Sequence, residues 1–121
     1  MNSQPERILI VEDDRNMART IRDILTDHAY EVDIAYNGDQ ALEMVGENRY
    51  FCLLSDIKMP GMDGVELFHA LQKTHPNLPI LLMTAYVPSD LLSASVDEGV
   101  VAVLTKPLEI DLLLMYLKAL K

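Results

Sequence analysis

Ile8-Leu9-Ile10-Val11-Glu12-Asp13-Asp14 sets an unbroken apolar run directly against three acids. Two further runs end in reactive groups in the same way: Phe51-Cys52-Leu53-Leu54-Ser55-Asp56 and Val101-Ala102-Val103-Leu104-Thr105-Lys106-Pro107. A fourth, Ile80-Leu81-Leu82-Met83-Thr84, leaves a hydroxyl in that place. Short runs that are apolar throughout read as strands covered on both faces, the pattern of a parallel sheet. If these four are neighbours, carboxylates, a hydroxyl and an ammonium converge on one sheet edge. In open parallel sheets that edge is where ligands bind.

The segments between the runs carry helical period. Met17, Ile21, Ile24 and Leu25 predict a helix over 15–27, and Glu31-Val32-Asp33-Ile34-Ala35 predicts a second strand. Asn37-Gly38 breaks that strand, and Ala41, Leu42 and Val45 predict a helix ending near Gly46. The third strand is expected over 51–55. Lys58-Met59-Pro60-Gly61-Met62-Asp63-Gly64 is dense in turn residues, and a helix over 64–74 follows with Val65, Phe68 and Leu71 inward. Pro76 and Pro79 bracket the next connection, and the fourth strand is expected over 80–83. A helix near 89–98 starts at the capping pair Ser89-Asp90 and stops at Gly99; the fifth strand covers 100–104. The last helix, 108–120, has Glu109 and Asp111 at its start and Lys118 and Lys121 at its end, matching the helix dipole. Strand then helix, repeated five times without a linker, predicts an α/β fold. It is a doubly wound five-stranded parallel sheet with helices on both faces and right-handed crossovers.

Composition narrows the classes. A chain of 121 residues, half of them hydrophobic and a quarter charged, has room for one domain with a real core. A net charge of -9 disfavours binding to nucleic acid or to an anionic membrane, since both need a positive surface. The polar start Met1-Asn2-Ser3-Gln4-Pro5-Glu6-Arg7 has no apolar core and is not a signal peptide. No apolar stretch approaches the about 20 residues of a membrane span, so a cytoplasmic location is expected. The lone Cys52 lies in an apolar run and reads as a small core residue.

Each reactive group also has an ordinary explanation. Asp56 alone would be a turn or capping aspartate. Asp14 suits the cap of the helix beginning near Arg15. Thr84 alone is a strand-end threonine, and Lys106 a solvated lysine, with Lys106-Pro107 a candidate cis bond. Together they mean more. Three consecutive acids at a strand end repel one another unless a cation relieves them, and Mg2+ is held by few carboxylates together with water and phosphate oxygens. A carboxylate such as Asp56 can act as a nucleophile toward phosphorus. A lysine beside it can hold a phosphoryl oxygen as a point charge.

On these motifs the chain resembles the receiver domain of bacterial two-component response regulators, over essentially all 121 residues. The family's acidic pair falls on Glu12 and Asp13, within Ile-Leu-Ile-Val-Glu-Asp-Asp, and its phosphoacceptor on Asp56, within Leu-Leu-Ser-Asp-Ile-Lys-Met-Pro-Gly-Met-Asp-Gly. Its switch hydroxyl falls on Thr84, in Met-Thr-Ala, and its lysine on Lys106, in Thr-Lys-Pro. The resemblance implies a flavodoxin-like strand order 2-1-3-4-5. It implies Mg2+ ligated directly by Asp13, by Asp56 and by the backbone carbonyl of Lys58, with Glu12 acting mainly through water. It further implies that Asp56 takes its phosphoryl group from a sensor histidine kinase or phosphotransfer protein. The domain is then not an enzyme, though it assists its own phosphotransfer and autodephosphorylation. His28, His69 and His75 are left as surface residues.

One position departs from the pattern. Many receivers carry a Tyr or Phe three residues before the lysine, and Val103 stands there, which puts the threonine–aromatic coupling in doubt. Tyr86 is a nearby aromatic on the loop after Thr84. On the last helix Ile110, Leu113, Leu114, Leu117 and Leu120 form the inward stripe, leaving Leu112, Met115 and Tyr116 as a candidate surface for a second copy or an output domain. In the family that surface is built by the fourth helix, the fifth strand and the last helix. Residues 1–121 read as a single receiver domain, either stand-alone or part of a longer regulator, of which a start at Met1 would make it the N-terminal part. The alternatives are a receiver-like interaction module that works without phosphorylation and, weaker, a small phosphatase or nucleotide-binding flavodoxin-like protein. The complete set Glu12, Asp13, Asp56, Thr84 and Lys106 argues against the first. The absence of a Gly-rich phosphate loop and of a second acid two residues after Asp56 argues against the second.

Overall fold

Five parallel strands carry the apolar runs: β1 (Arg7–Val11), β2 (Glu31–Ala35), β3 (Cys52–Asp56), β4 (Ile80–Thr84) and β5 (Ala102–Thr105). The computed structural model describes residues 5–85 and 98–121. The strand order is β2-β1-β3-β4-β5, the flavodoxin-like order expected. The described helices are α1 (Arg15–Asp27), α2 (Gly38–Glu47), α3 (Gly64–Thr74) and α4 (Ile110–Ala119). The helix predicted near 89–98 and the aromatic Tyr86 lie outside the described residues, apart from Glu98.

The two-residue period of the strands divides the core into two layers. Leu9, Val11, Leu53 and Leu82 point to one face, where they pack with Ala41 and Val45 of α2 and Leu67, Phe68 and Leu71 of α3. Ile8, Ile10, Leu54, Leu81 and Met83 point to the other, against Ile21 and Leu25 of α1 and Leu113 and Leu117 of α4. Every residue of β3 and β4 is buried, which explains why their runs contain no alternating polar residue.

Strand and helix ends moved by one or two residues from expectation. β3 begins at Cys52 and includes Asp56, since Asp56 pairs in register with Met83. β5 begins at Ala102, not at residue 100, and α4 spans Ile110–Ala119, with Glu109 as its N-cap residue. On α4 the split between core and surface is narrower than the sequence suggested. Leu112 and Met115 are exposed, at 36% and 54%, but Tyr116 is half-buried and packs with the α1 face of the core. Val103 is half-buried on the opposite face.

The loop after β3 is fastened at both ends. Ile57 donates its N–H to Met83 O (2.9 Å), and Gly64 donates its own to Ile57 O (2.8 Å). A Cβ on Gly64 would run into the carbonyl oxygen of Asp56 and would lie 2.9 Å from Ile57 Cα. These are backbone atoms and cannot rotate aside, so only glycine lets α3 start this close to Asp56. Asp63 then caps α3 in a reciprocal pair with Glu66.

Gly64→Ala is expected to destabilise the fold by about 1–3 kcal/mol, as overpacking against fixed atoms does, read as a lowered denaturation midpoint. Cys52 is fully buried, and burial pushes its thiol up to about 12. A disulfide reagent at pH 8 should therefore modify the native chain at least about a hundredfold more slowly than the chain unfolded in urea. Similar rates in the two states would place Cys52 outside a closed core.

Candidate functional site

Residues from three strand ends meet at the carboxyl edge of the sheet. Glu12 follows β1 and continues its ladder, with its N–H on Ala35 O at 3.0 Å. Its side chain is 1% exposed, with Oε2 taking the Asp14 N–H (3.1 Å) and Oε1 taking Lys106 Nζ (2.8 Å). Asp56 closes β3, buried at 6% exposure, and its Oδ2 takes Lys106 Nζ at 2.9 Å. Lys106 follows β5, where its N–H bonds Thr84 O (2.8 Å) and its peptide bond to Pro107 is cis. The lysine thus leans across the end of β4 to join the ends of β3 and β1.

Asp13 and Asp14 are neighbours with different work. Asp14 Oδ1 accepts the N–H groups of Asn16 (3.0 Å) and Met17 (3.1 Å), the cap that the sequence predicted for α1. Asp13 is exposed and turned to the cluster: Glu12, Asp13 and Asp56 each bring an oxygen to within 4.8 Å of the others. Thr84 ends β4, buried at 3% exposure and in register with Thr105. Lys58 stands exposed two residues past Asp56, and Met59 beyond it is buried. The three histidines are exposed, as expected; His69 pairs with Glu98 at 2.6 Å.

Burial dominates the electrostatics of Glu12. It raises the carboxyl above its ordinary value, and the hydrogen bonds from Lys106 and from the Asp14 N–H only partly offset it. At Lys106 burial opposes the ammonium, but bonding to Glu12 and Asp56 outweighs it and the lysine sits above its ordinary value. One ammonium cannot neutralise three acids, so the edge keeps negative charge and is suited to a hard cation. Oxygens bound to one octahedral Mg2+ at about 2.1 Å lie about 3 to 4.2 Å apart, so this donor set fits such an ion with small side-chain movements.

The sequence reading brought Glu12, Asp13, Asp56, Thr84 and Lys106 to one edge, and the structure places all five there. It missed that Glu12 is the direct partner of Lys106. The ring contact between Arg15 and Tyr36, 4.0 Å from guanidinium carbon to ring centroid, was also missed, because contacts between a helix start and a distant strand end leave no local pattern.

Comparison with known proteins agrees with this arrangement. The model of the family described as "Response regulator receiver domain" matches residues 8–118. A response regulator receiver protein of Anaeromyxobacter sp. (strain Fw109-5) is 42% identical over 108 residues, covering 89% of this chain and 45% of its own length. Response regulator MprA of Mycobacterium ulcerans is 38% identical over 114 residues, covering 94% and 49%. The chain therefore spans about half the length of the curated relatives it matches. Among solved structures, chemotaxis protein CheY4 of Vibrio cholerae superposes with a TM-score of 0.89 at 27% identity, over 97% of this chain and 99% of that one. Response regulator TrrA of Thermotoga maritima, in complex with Mg2+ and BeF, superposes with a TM-score of 0.86 at 31% identity, over 96% and 99%. Sequence, strand order and the acidic edge agree: this chain belongs to the response regulator receiver domain family of two-component signalling.

Proposed function

We propose that the domain accepts a phosphoryl group on Asp56 from a sensor histidine kinase or a phosphotransfer protein and passes the signal on by a change of surface. The observation that carries the reading is the meeting of Asp56 and Lys106 at 2.9 Å inside a triad of carboxylates. An Asp56 carboxylate oxygen attacks phosphorus, the P–N bond to the donor imidazole breaks, and the imidazole nitrogen keeps the electron pair. Lys106, already drawn to Asp56, holds a phosphoryl oxygen as a point charge, and the Thr84 hydroxyl bonds another. Hydrolysis of the acyl phosphate by water returns Asp56, a self-limiting reaction and not turnover of a substrate.

Asp13, Asp56 and the backbone carbonyl of Lys58 would hold Mg2+, with Glu12 reaching it through water. The ion supplies charge neutralisation at the phosphoryl oxygens. The output face we assign to the exposed side of α4, where Leu112 and Met115 stand out, together with β5. A second copy or an output domain of a longer regulator would sit there. The charge of -9 leaves direct nucleic-acid binding to another part of such a regulator. Among the described residues no helix is long and apolar enough to cross a membrane, which is compatible with a cytoplasmic site of action.

Incubation with acetyl phosphate and Mg2+ should add a single phosphoryl mass, and Asp56→Asn should remove it. An Asp56→Asn chain that gains the mass on the same time course overturns the assignment. Asp13→Ala should weaken Mg2+ binding by about tenfold or more in a metal titration, whereas Asp14→Ala, which removes a cap, should cost about 1 kcal/mol of stability and leave the metal affinity nearly unchanged. Without metal, Asp13→Ala should hold or raise the melting temperature, since it relieves repulsion at an exposed acid. Mg2+ should stabilise the wild type by mass action and this variant much less.

A further inference from the structure

Arg15 opens α1 two residues past Asp13, and its guanidinium carbon lies 4.0 Å from the centroid of the Tyr36 ring, within cation–π range. Tyr36 is itself fixed. It follows Ala35, whose carbonyl takes the Glu12 N–H, and its own N–H donates to Gln40 Oε1 at 2.7 Å. The backbone that carries the ring is therefore tied to the acidic strand end. Arg7 and Arg22 spend their charge on carboxylates, at 3.0 and 3.3 Å. Arg15 is exposed, and among the described residues no carboxylate pairs with it.

The charge around it gives this arrangement a use. Glu12, Asp13 and Asp56 share one edge, and the ammonium of Lys106 is already taken by two of them. A phosphoryl donor is itself an anion and approaches a chain of net charge -9. The helix N-terminus offers it little, because Asp14 occupies the N–H groups of Asn16 and Met17. A planar guanidinium stacked on a ring keeps its N–H edges open and oriented, the geometry that receives two phosphoryl oxygens at once.

We propose that Arg15, held on Tyr36, is a donor-binding residue that receives the anionic oxygens of the phosphoryl donor as it comes to Asp56. This rests on the phosphoacceptor reading above. It predicts that Arg15 governs capture of the donor and not the chemical step.

The test is the initial rate of phosphorylation of the full chain, read by intact mass, over a range of acetyl phosphate concentrations at saturating Mg2+. Arg15→Gln should raise the apparent KM for acetyl phosphate about fivefold, the size of one exposed charged contact, with the saturating rate and the Mg2+ affinity unchanged. Arg15→Lys should recover part of the loss, and Tyr36→Leu, which frees the guanidinium, should fall between wild type and Arg15→Gln. Raising the ionic strength should raise the KM of the wild type more than that of Arg15→Gln. An unchanged KM in Arg15→Gln while the wild type is phosphorylated overturns the proposal, as does a lowered melting temperature and saturating rate with KM unmoved, the signature of a purely structural stack. If Arg15→Gln does not fold, the Arg15→Lys and Tyr36→Leu values of KM decide in the same way. A wild type that gains no phosphoryl mass overturns the phosphoacceptor reading itself, and this one with it.

Discussion

The double contact of Lys106 with Glu12 and Asp56 is the constraint on which the rest of the site depends. It joins the end of β5 to the ends of β3 and β1, strands that do not all adjoin one another in the sheet. The lysine side chain is only 15% exposed and its two partners are buried. Removing one member of such a group leaves the others as uncompensated charge, which costs far more than the intact group contributes. The charged edge is thus held together by mutual need, while the stability of the fold comes from the two apolar layers beneath it.

Those layers explain how a charged cluster can be placed with little tolerance for movement. β3 and β4 are buried along their whole length, and they carry Asp56 and Thr84 as their last residues. The residues that follow β1 and β5, Glu12 and Lys106, continue the ladders by one more backbone hydrogen bond each. The reactive groups therefore stand where the regular backbone stops but has not yet become loop. Asp13 is the exception, exposed at the rim, and its neighbour Asp14 is committed to the α1 cap.

Much of this was legible in the sequence because parallel strands covered on both faces read as plain apolar runs, and a run that ends in an acid or a lysine marks the sheet edge. The Asp14 cap and the starts of α1 and α3 were legible for the same local reason. Other features were not. The boundaries of β5 and α4 slipped because Val100 and Val101 are as apolar as the strand itself, and Leu108 as apolar as the helix. Tyr116 was placed outside the core because side-chain reach, not spacing, decides burial at the margin of a helix stripe. The bond between Glu12 and Lys106 spans 94 positions, and the Arg15–Tyr36 contact depends on how a helix start meets a strand end. Neither distance has a sequence period.

The tight seat of Gly64 against Asp56 bears on how a larger group at that aspartate would be accommodated. The loop between them is stapled to β4 at Ile57 and back on itself at Gly64, and the carbonyl of Asp56 has no free space behind it. That side of the Asp56 main chain is a wall. The main chain at Asp56 therefore cannot yield toward the start of α3.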